Sequence, residues 1–438
     1  DAHGHLASLG SALEAVDLVG TGSWEEVVER LAAAAADRLD RSWLVGRGWD
    51  QNDWGGAGAF PHHQLLSERV ATPVVLMRVD GHALIANAAA MVAAGVTAAT
   101  QDPDGGRIVR NAEGDPTGVF IDNAMGLIRR FQPSGTQAKL ESRLLAAQSA
   151  CLSVGLTAVH DAGAGPDTVE ALRSLESDGL WKLRVHGMHA GLPKEGVKPL
   201  IGDRVSFRSV KLVADGALGS RGAALLEPYT DESTISGLPQ LTAGELRKAA
   251  SECLDRGFQL RVHAIGDAAN RAVLDAYQDA LAGHPGARDA RFTIEHAQIV
   301  HPDDLGRFAS LGVTPSMQPT HLTSDGPWFG DRIGDRPAHA YAWRDLLETG
   351  VRLPLGSDFP VESHDPLLGL RAAITRARPG GGPPAEMGPW DPDQALTVEQ
   401  AVRGMTADAA WIAFREDHSG RVVAGFDADL TVLSMDPF

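Results

Sequence analysis

From about residue 150 onward the chain alternates short β-branched runs with amphipathic stretches of helical period. That alternation constrains its fold more than any other feature. LTAVHDAG reads as a strand and its exit loop, a helix follows near 166–178, and WKLRVHGM reads as the next strand. RSVKLVADG, FQLRVHAIG, RFTIEHAQ, GVTPSMQP and VRLPLGSDFP continue the series, with helical patterns in most of the gaps. Thr242 and Glu245 make a capping box for TAGELRKAASECLDRG, Gly257 supplies its stop, and Thr397 with Gln400 repeats the start signal. Strand, helix, strand, repeated, implies parallel strands joined by right-handed crossovers. Seven such strands lie between residues 156 and 358, and an eighth can end at the opening DAHGH. Eight is the count of a closed (β/α)8 TIM-like barrel; an open doubly wound sheet is the competing arrangement.

The placement of polar residues favours the barrel. His160, Lys211, His263, His296 and Asp358 fall at or near the C-terminal ends of strands, the face where barrel active sites are built. Residues 21–150 interrupt the scheme and are too long for one loop, so they read as an inserted α+β subdomain. Ser23 and Glu26 cap its first helix, SWEEVVERLAAAAADRL, and GGRIVRNAEGDPTGVF reads as a hairpin turning at EGD. Residues 1–20 then hold the end of barrel strand one, the strand itself being absent, and residues 151–415 hold strands two to eight. Residues 416–438, with GRVVAGFDADLTVLSMDPF, read as two strands of a partial small β-domain. ARPGGGPPAEMGP, residues 377–389, reads as one exposed loop.

Composition excludes several partners. The formal charge is −18 over 438 residues, with no basic run, so nucleic acid is not expected. No apolar run approaches the roughly 18 residues of a membrane helix. Cys151 and Cys253 both fall in helical patterns and read as buried free thiols of a reducing, cytoplasmic compartment, although residues before Asp1 have room for an export signal.

Chemistry concentrates in a few positions. In an extended strand His3 and His5 face the same side and can reach one point together. An isolated pair of this kind is common at protein surfaces, and His263 and His296 each have an ordinary alternative as a hydrogen-bonded core residue. Four histidines at three strand ends, with Asp358 at another, suit a metal site better. Lys211 sits inside an apolar strand, where an ammonium is costly to bury and would repel a neighbouring cation. Addition of carbon dioxide would turn it into an anionic carbamate able to bridge two ions. The alternative is a lysine that snorkels outward or pairs with Asp215. Two divalent ions set against a carbamate, Asp358 and a hydroxide leave a small positive excess that can polarise a carbonyl.

These residues, in this order, resemble the amidohydrolase superfamily. GRGWDQNDW, LMRVDGHALIANAAAM, VKLVADGALGSRGAAL, RVHAIGDAANRAVLDAY, IEHAQIV and LPLGSDFPVES resemble its amidohydrolase-3 branch, which includes N-substituted formamide deformylase-like hydrolases. The resemblance covers nearly the whole chain. It implies a barrel holding two divalent ions, usually zinc, with His3, His5 and Asp358 on one, His263 and His296 on the other, and carboxylated Lys211 between them. It also implies hydrolysis of a non-peptide C–N bond, of amide or N-substituted formamide type, in a small molecule. Metal-bound hydroxide would attack, and Asp358 would pass the water proton to the leaving nitrogen. An ester, lactone or phosphotriester would suit the same site, and a non-catalytic member of the branch is a further alternative. A homodimer is compatible with the resemblance. In that branch a small sheet domain precedes DAHGH, so the chain is expected to be truncated at both ends. His82, Arg221 and His321 are candidate substrate-binding residues. Trp49 and Trp54 would either line a pocket or pack the subdomain, and His62, His63 and His418 are expected to be solvated.

Overall fold

The computed structural model describes residues 1–36, 43–55, 59–133, 135–287, 289–334, 336, 340–377 and 390–438. Two sheets organise them. The first is formed by β1 (Val16–Asp17), β2 (Leu44–Trp49), β3 (Val74–Arg78), β4 (Ala83–Ala86), β5 (Gly106–Arg110) and β6 (Pro116–Asp122), in the order β1-β2-β3-β4-β6-β5. Its first three strands are parallel and the rest antiparallel. The expected hairpin is β5–β6, closed by a turn in which Asn111 N–H bonds Asp115 O and Gly114 takes a φ of 89°. Trp49 and Trp54 are buried and stacked at 6.0 Å, so they pack this layer rather than line a pocket.

The second sheet is parallel throughout. β7 (Ala158–Val159), β9 (Arg184–Ala190), β10 (Val205–Val213), β11 (Gln259–Ala264), β12 (Thr293–His296) and β13 (Thr314–Ser316) follow one another in sequence and in space, and β8 (Ala162–Ala164), just after β7, pairs with β9 as well. Every residue of β11 and β12 is buried, as expected of strands covered on both faces. The curl continues through single parallel bridges, Met317 to Leu355, Phe359 to Gly4, and Gly4 to Asp161. DAHGH therefore lies between VRLPLGSDFP and LTAVHDAG: Ala2 N–H bonds Leu355 O, Asp358 N–H bonds His3 O, and Gly4 N–H bonds His160 O. Only glycine fits at position 4, because a Cβ there would stand 2.3 Å from the Phe359 ring. This is the curled α/β architecture of TIM-like barrels.

Local signals act largely as read. Thr242 with Glu245 and Thr397 with Gln400 form capping boxes, and Gly257 ends its helix at φ 73°. Ser23 accepts the Glu26 N–H, but the Glu26 carboxylate takes Gly22 N–H instead of closing the box on Ser23. Cys151 and Cys253 are free and buried. His63 is half-buried against Ser67 Oγ, 2.8 Å away, rather than fully solvated. The two strands expected in residues 416–438 are absent. Side-chain contacts hold that stretch instead of a ladder, among them Thr431 Oγ1 to Gly155 O and Asp427 and Asp429 to Arg184 at the start of the strand Arg184–Ala190. The loop expected at 377–389 lies outside the described residues apart from Ala377. No helix among the described residues is long and apolar enough to cross a membrane.

Candidate metal centre

Six side chains with lone pairs come together where the parallel strands end. His3 and His5, two residues apart on an extended segment, both approach Asp358 Oδ1, at 3.4 and 3.0 Å from their Nε2 atoms. His321 Nε2 lies 3.6 Å from Asp358 Oδ2. The His296 ring stands 5.0 Å from that of His3 and 4.5 Å from that of His263. Ligand atoms of His3, His5 and Asp358 lie within 4.8 Å of one another, and so do those of His296, His321 and Asp358. Asp358 thus belongs to both groups.

The backbone is bent to produce this convergence. His296 has φ 74° and Asp358 φ 62°, left-handed values that cost a residue with a Cβ roughly 1–3 kcal/mol each.

Several of these atoms are buried without a hydrogen bond: His3 Nε2, His263 Nε2, His296 Nδ1, His321 Nε2 and Asp358 Oδ1. Orphaned buried polar atoms are costly unless a further partner satisfies them. A carboxylate and imidazoles converging on one region form the donor set that divalent zinc-like ions take, so the residues present fit such ions. Lys211, on β10, is buried, and burial pushes its ammonium below the usual lysine range, against the pull of Glu295 and Asp358. The alternative of a Lys211–Asp215 pair is not realised. The Asp215 carboxylate is taken up by the N–H groups of Ala224, Ile265 and Gly266, at 2.8–3.0 Å, and burial lifts it to about 7.

A charged layer lies beneath the centre. Glu295, fully buried, accepts from His3 Nδ1 at 2.5 Å and from Arg261 Nε at 2.5 Å. Burial alone would raise this carboxyl, but Arg261 and His3 outweigh it and hold it well below the carboxylate range. With its Nδ1–H donated to Glu295, His3 presents Nε2 as an acceptor. This is the orientation that a carboxylate partner enforces on a metal-ligating histidine. Arg261 also donates to Ala2 O and lies 3.0 Å from His160 Nδ1, so it ties three strand ends together. Burial likewise disfavours the charged form of Asp358, but His3 and His5 outweigh it and keep the carboxyl well below its usual range. His263 and His296 are pushed well below theirs, by burial first.

The centre forms one end of a cavity of about 480 Å³ between the two sheets. Its lining includes His263, His296, His321 and Asp358 from the centre side, and Asp50, Arg78, Asp80 and His82 from the side of the first sheet. His82 is fixed by a 2.7 Å bond from Nδ1 to Asp122 Oδ1, which outweighs burial and raises the imidazole to about 9. Gly216 and Gly222 leave room for Asp122, since a Cβ on either would meet its carboxylate at 2.4–2.5 Å.

Of the expected residues, the structure brings together His3, His5, His296 and Asp358. It adds His321, expected at the substrate, to the atoms around Asp358. His263 stands beside them without joining either three-residue group. Arg221 does not line the cavity and instead grips Asp231 at 2.8 Å. Sequence reasoning missed Glu295, Arg261 and Asp122. The first two carried the signal that singled out Lys211, a charge within an apolar strand.

The fold and the centre together define a metal-dependent hydrolase of barrel type. The chain belongs to the amidohydrolase family, in its amidohydrolase-3 branch, whose profile matches residues 1–438. It is 33% identical to the Bacillus subtilis (strain 168) protein named "Putative amidohydrolase YtcJ", covering 100% of this chain and 83% of that one. It is 27% identical to N-substituted formamide deformylase of Arthrobacter pascens, covering 100% and 82%. Among solved structures, an uncharacterized metal-dependent hydrolase from Pyrococcus horikoshii OT3 superposes with a TM-score of 0.79 at 28% identity, covering 100% and 85%. One from Pyrococcus furiosus gives 0.75 at 30%, covering 100% and 86%.

Proposed function

We propose that this chain hydrolyses a non-peptide carbon–nitrogen bond, of amide or N-substituted formamide type, in a small molecule, and that it uses two divalent ions, zinc in the first instance. His3, His5 and Asp358 would hold one ion, and His296 with His263 or His321 the other. Lys211, as its carbamate, would bridge them. The observation that carries this reading is the convergence of orphaned donor atoms on Asp358, the one residue shared by both groups.

When bound, such ions polarise a carbonyl and bring the ionisation of water near neutrality. The chain supplies the rest. Asp358 accepts the proton of the attacking water and returns it to the leaving nitrogen. Glu295 fixes the tautomer and the aim of His3. His82, held by Asp122, faces the substrate from the opposite wall. A buried Lys211 beside Glu295 and Asp358 favours the carbamate over an ammonium on charge grounds, because an extra cation between two metal ions would be poorly tolerated. The likeness to N-substituted formamide deformylase supports the bond type. The enzyme is taken to be cytoplasmic and homodimeric, and its acidic composition supports small molecules rather than nucleic acid as substrates.

The test is metal analysis with a substrate panel. Two ions per chain, carbamate density or mass on Lys211, and formamide hydrolysis faster than that of matched esters and lactones are expected. Faster ester cleavage would move the assignment to the bond rather than the site. Less than one ion per chain would end it.

A further inference from the structure

The cavity has two ends of opposite electrical character. Besides Asp358, its lining carries Asp17, Asp50, Asp80 and Asp325, and Asp53 and Glu362 line it as well. The two cationic groups in that lining are already engaged: the Arg78 guanidinium pairs with Asp50 at 2.5 Å and with Asp80, and the His82 imidazole is held by Asp122 at 2.7 Å. Arg47, outside the lining, gives an N–H to Val79 O at 2.9 Å and interacts electrostatically with Asp358 and Asp80. Arg221 and Arg332 are outside the lining, both engaged by Asp231.

Asp325 stands out among these acids. Its Oδ2 receives both bonds the carboxylate gets from the protein, from Tyr341 OH at 2.6 Å and Gln298 Nε2 at 2.7 Å. Its Oδ1 receives none among the described residues, and the residue lines the cavity. Two donors thus hold the carboxylate in place and leave one oxygen for a ligand. The centre at the other end would carry a small positive excess once two ions and a carbamate are in place. A carboxylate-bearing substrate would find that centre but then face a wall of carboxylates. A substrate with an amine would be drawn by both ends at once, the carbonyl to the ions and the ammonium to the acids.

We infer that the cavity selects substrates carrying a protonated amine, with Asp325 as the carboxylate that receives it. The inference rests on the hydrolase reading above and narrows its substrate to organic cations. A desolvated hydrogen bond to a charged group contributes about 1.5–3 kcal/mol, or roughly 10- to 100-fold in selectivity.

The experiment uses the full metal-loaded chain and three formamides of matched length: N-formyl-1,4-diaminobutane, N-pentylformamide and N-formyl-4-aminobutanoate. The expected order of kcat/KM is cation, neutral, anion, with about tenfold or more between the first two. In Asp325→Asn the cation-to-neutral ratio, read within the variant so that general damage cancels, falls toward one, and Asp325→Glu restores part of it. A neutral or anionic substrate that equals or beats the cation overturns the inference. So does an undiminished ratio in Asp325→Asn. If none of the formamides or their ester counterparts turns over, the hydrolase reading fails separately, and calorimetry with 1,4-diaminobutane decides the cation site: binding lost in Asp325→Asn supports it, and no binding by the parent chain overturns it.

Discussion

The two ends of the cavity are built on opposite principles. At the barrel end, buried ring nitrogens and a carboxylate oxygen meet without hydrogen bonds, and two residues hold left-handed backbone angles. At the wall, Arg78 is 1% exposed and every nitrogen of its guanidinium has a partner, in Asp50, Asp80 and Gln51. The first end stores unfavourable energy that a ligand can relieve, and the second is already compensated. Substitutions should therefore separate: at the barrel end they should abolish function and spare the fold, and in the Arg78 network they should do the reverse.

The largest effect is expected for Asp358→Asn. Both groups of candidate ligands lose their common member, and the proton acceptor disappears. Turnover should drop by about three orders of magnitude, with metal content reduced, while the metal-free chain still folds, somewhat less stable for the loss of the ionised carboxyl that His3 and His5 favour. Rates within tenfold of the parent would break the contrast. Arg78→Met is the opposing experiment. It strands Asp50 and Asp80, whose side chains are 11% and 15% exposed, and should destabilise the chain by about 3–5 kcal/mol. Denaturant unfolding measures that loss, and metal content in the folded fraction should stay at the parental level.

Glu295→Gln sharpens the comparison, because Glu295 is a fully satisfied residue placed beneath the unsatisfied end. The amide still fills the space but no longer enforces the His3 tautomer, so metal affinity should weaken about 10- to 100-fold. Chelator competition reads this directly, and excess metal should recover activity. Recovery would separate positioning from a role in the chemistry.

The barrel strands were legible because parallel strands buried on both faces are apolar runs, and because their caps, Thr242 with Glu245 and Gly257, are local devices. DAHGH was legible as a pair of imidazoles on one side of a strand. What stayed hidden depends on partners remote in sequence. Glu295 meets His3 across 292 positions, Arg78 meets Asp50 across 28, and Asp122 matters only because two distant glycines make room for it. His321, in QPTH, carried no periodic signal that it would reach Asp358. The C-terminal stretch failed in the other direction: GRVVAGF and DLTVLSM have strand composition, but composition cannot supply a neighbouring edge.

Asp325 offers a pH test of the cavity between its two ends. Burial raises its carboxyl to about 7 from an ordinary value near 3.8, with Asp50 adding to the rise and Arg78 opposing it. The folded state therefore holds the proton more tightly than the unfolded one. The resulting stabilisation is complete below about pH 4, declines as pH rises, and is gone above about pH 7. Asp325→Asn removes the titration. The stability of the parent relative to the variant should fall steadily between those limits and level off beyond, as followed by denaturant midpoints at half-unit intervals. A difference that is flat across pH 4–7, or that rises, would show that the cavity does not raise the Asp325 carboxyl.

The smallest effect is expected at Arg221, where motif and structure disagree. GALGSRG follows barrel strand β10, the position from which a guanidinium would be expected to meet a substrate carboxylate. The structure gives that guanidinium to Asp231 through two bonds, at 2.8 and 3.3 Å, outside the cavity lining. Arg332 serves Asp231 as well, so removing Arg221 strands no charge. Arg221→Gln should change stability by no more than about 1 kcal/mol, the ordinary value of a partly exposed pair, and should leave kcat/KM within about twofold, well under the tenfold that 1.4 kcal/mol would bring. A tenfold rise in KM confined to anionic substrates would place Arg221 at the mouth of the cavity. It would also weaken the contrast itself, because the wall would then contain a cation free to act on substrate rather than one consumed in holding the fold.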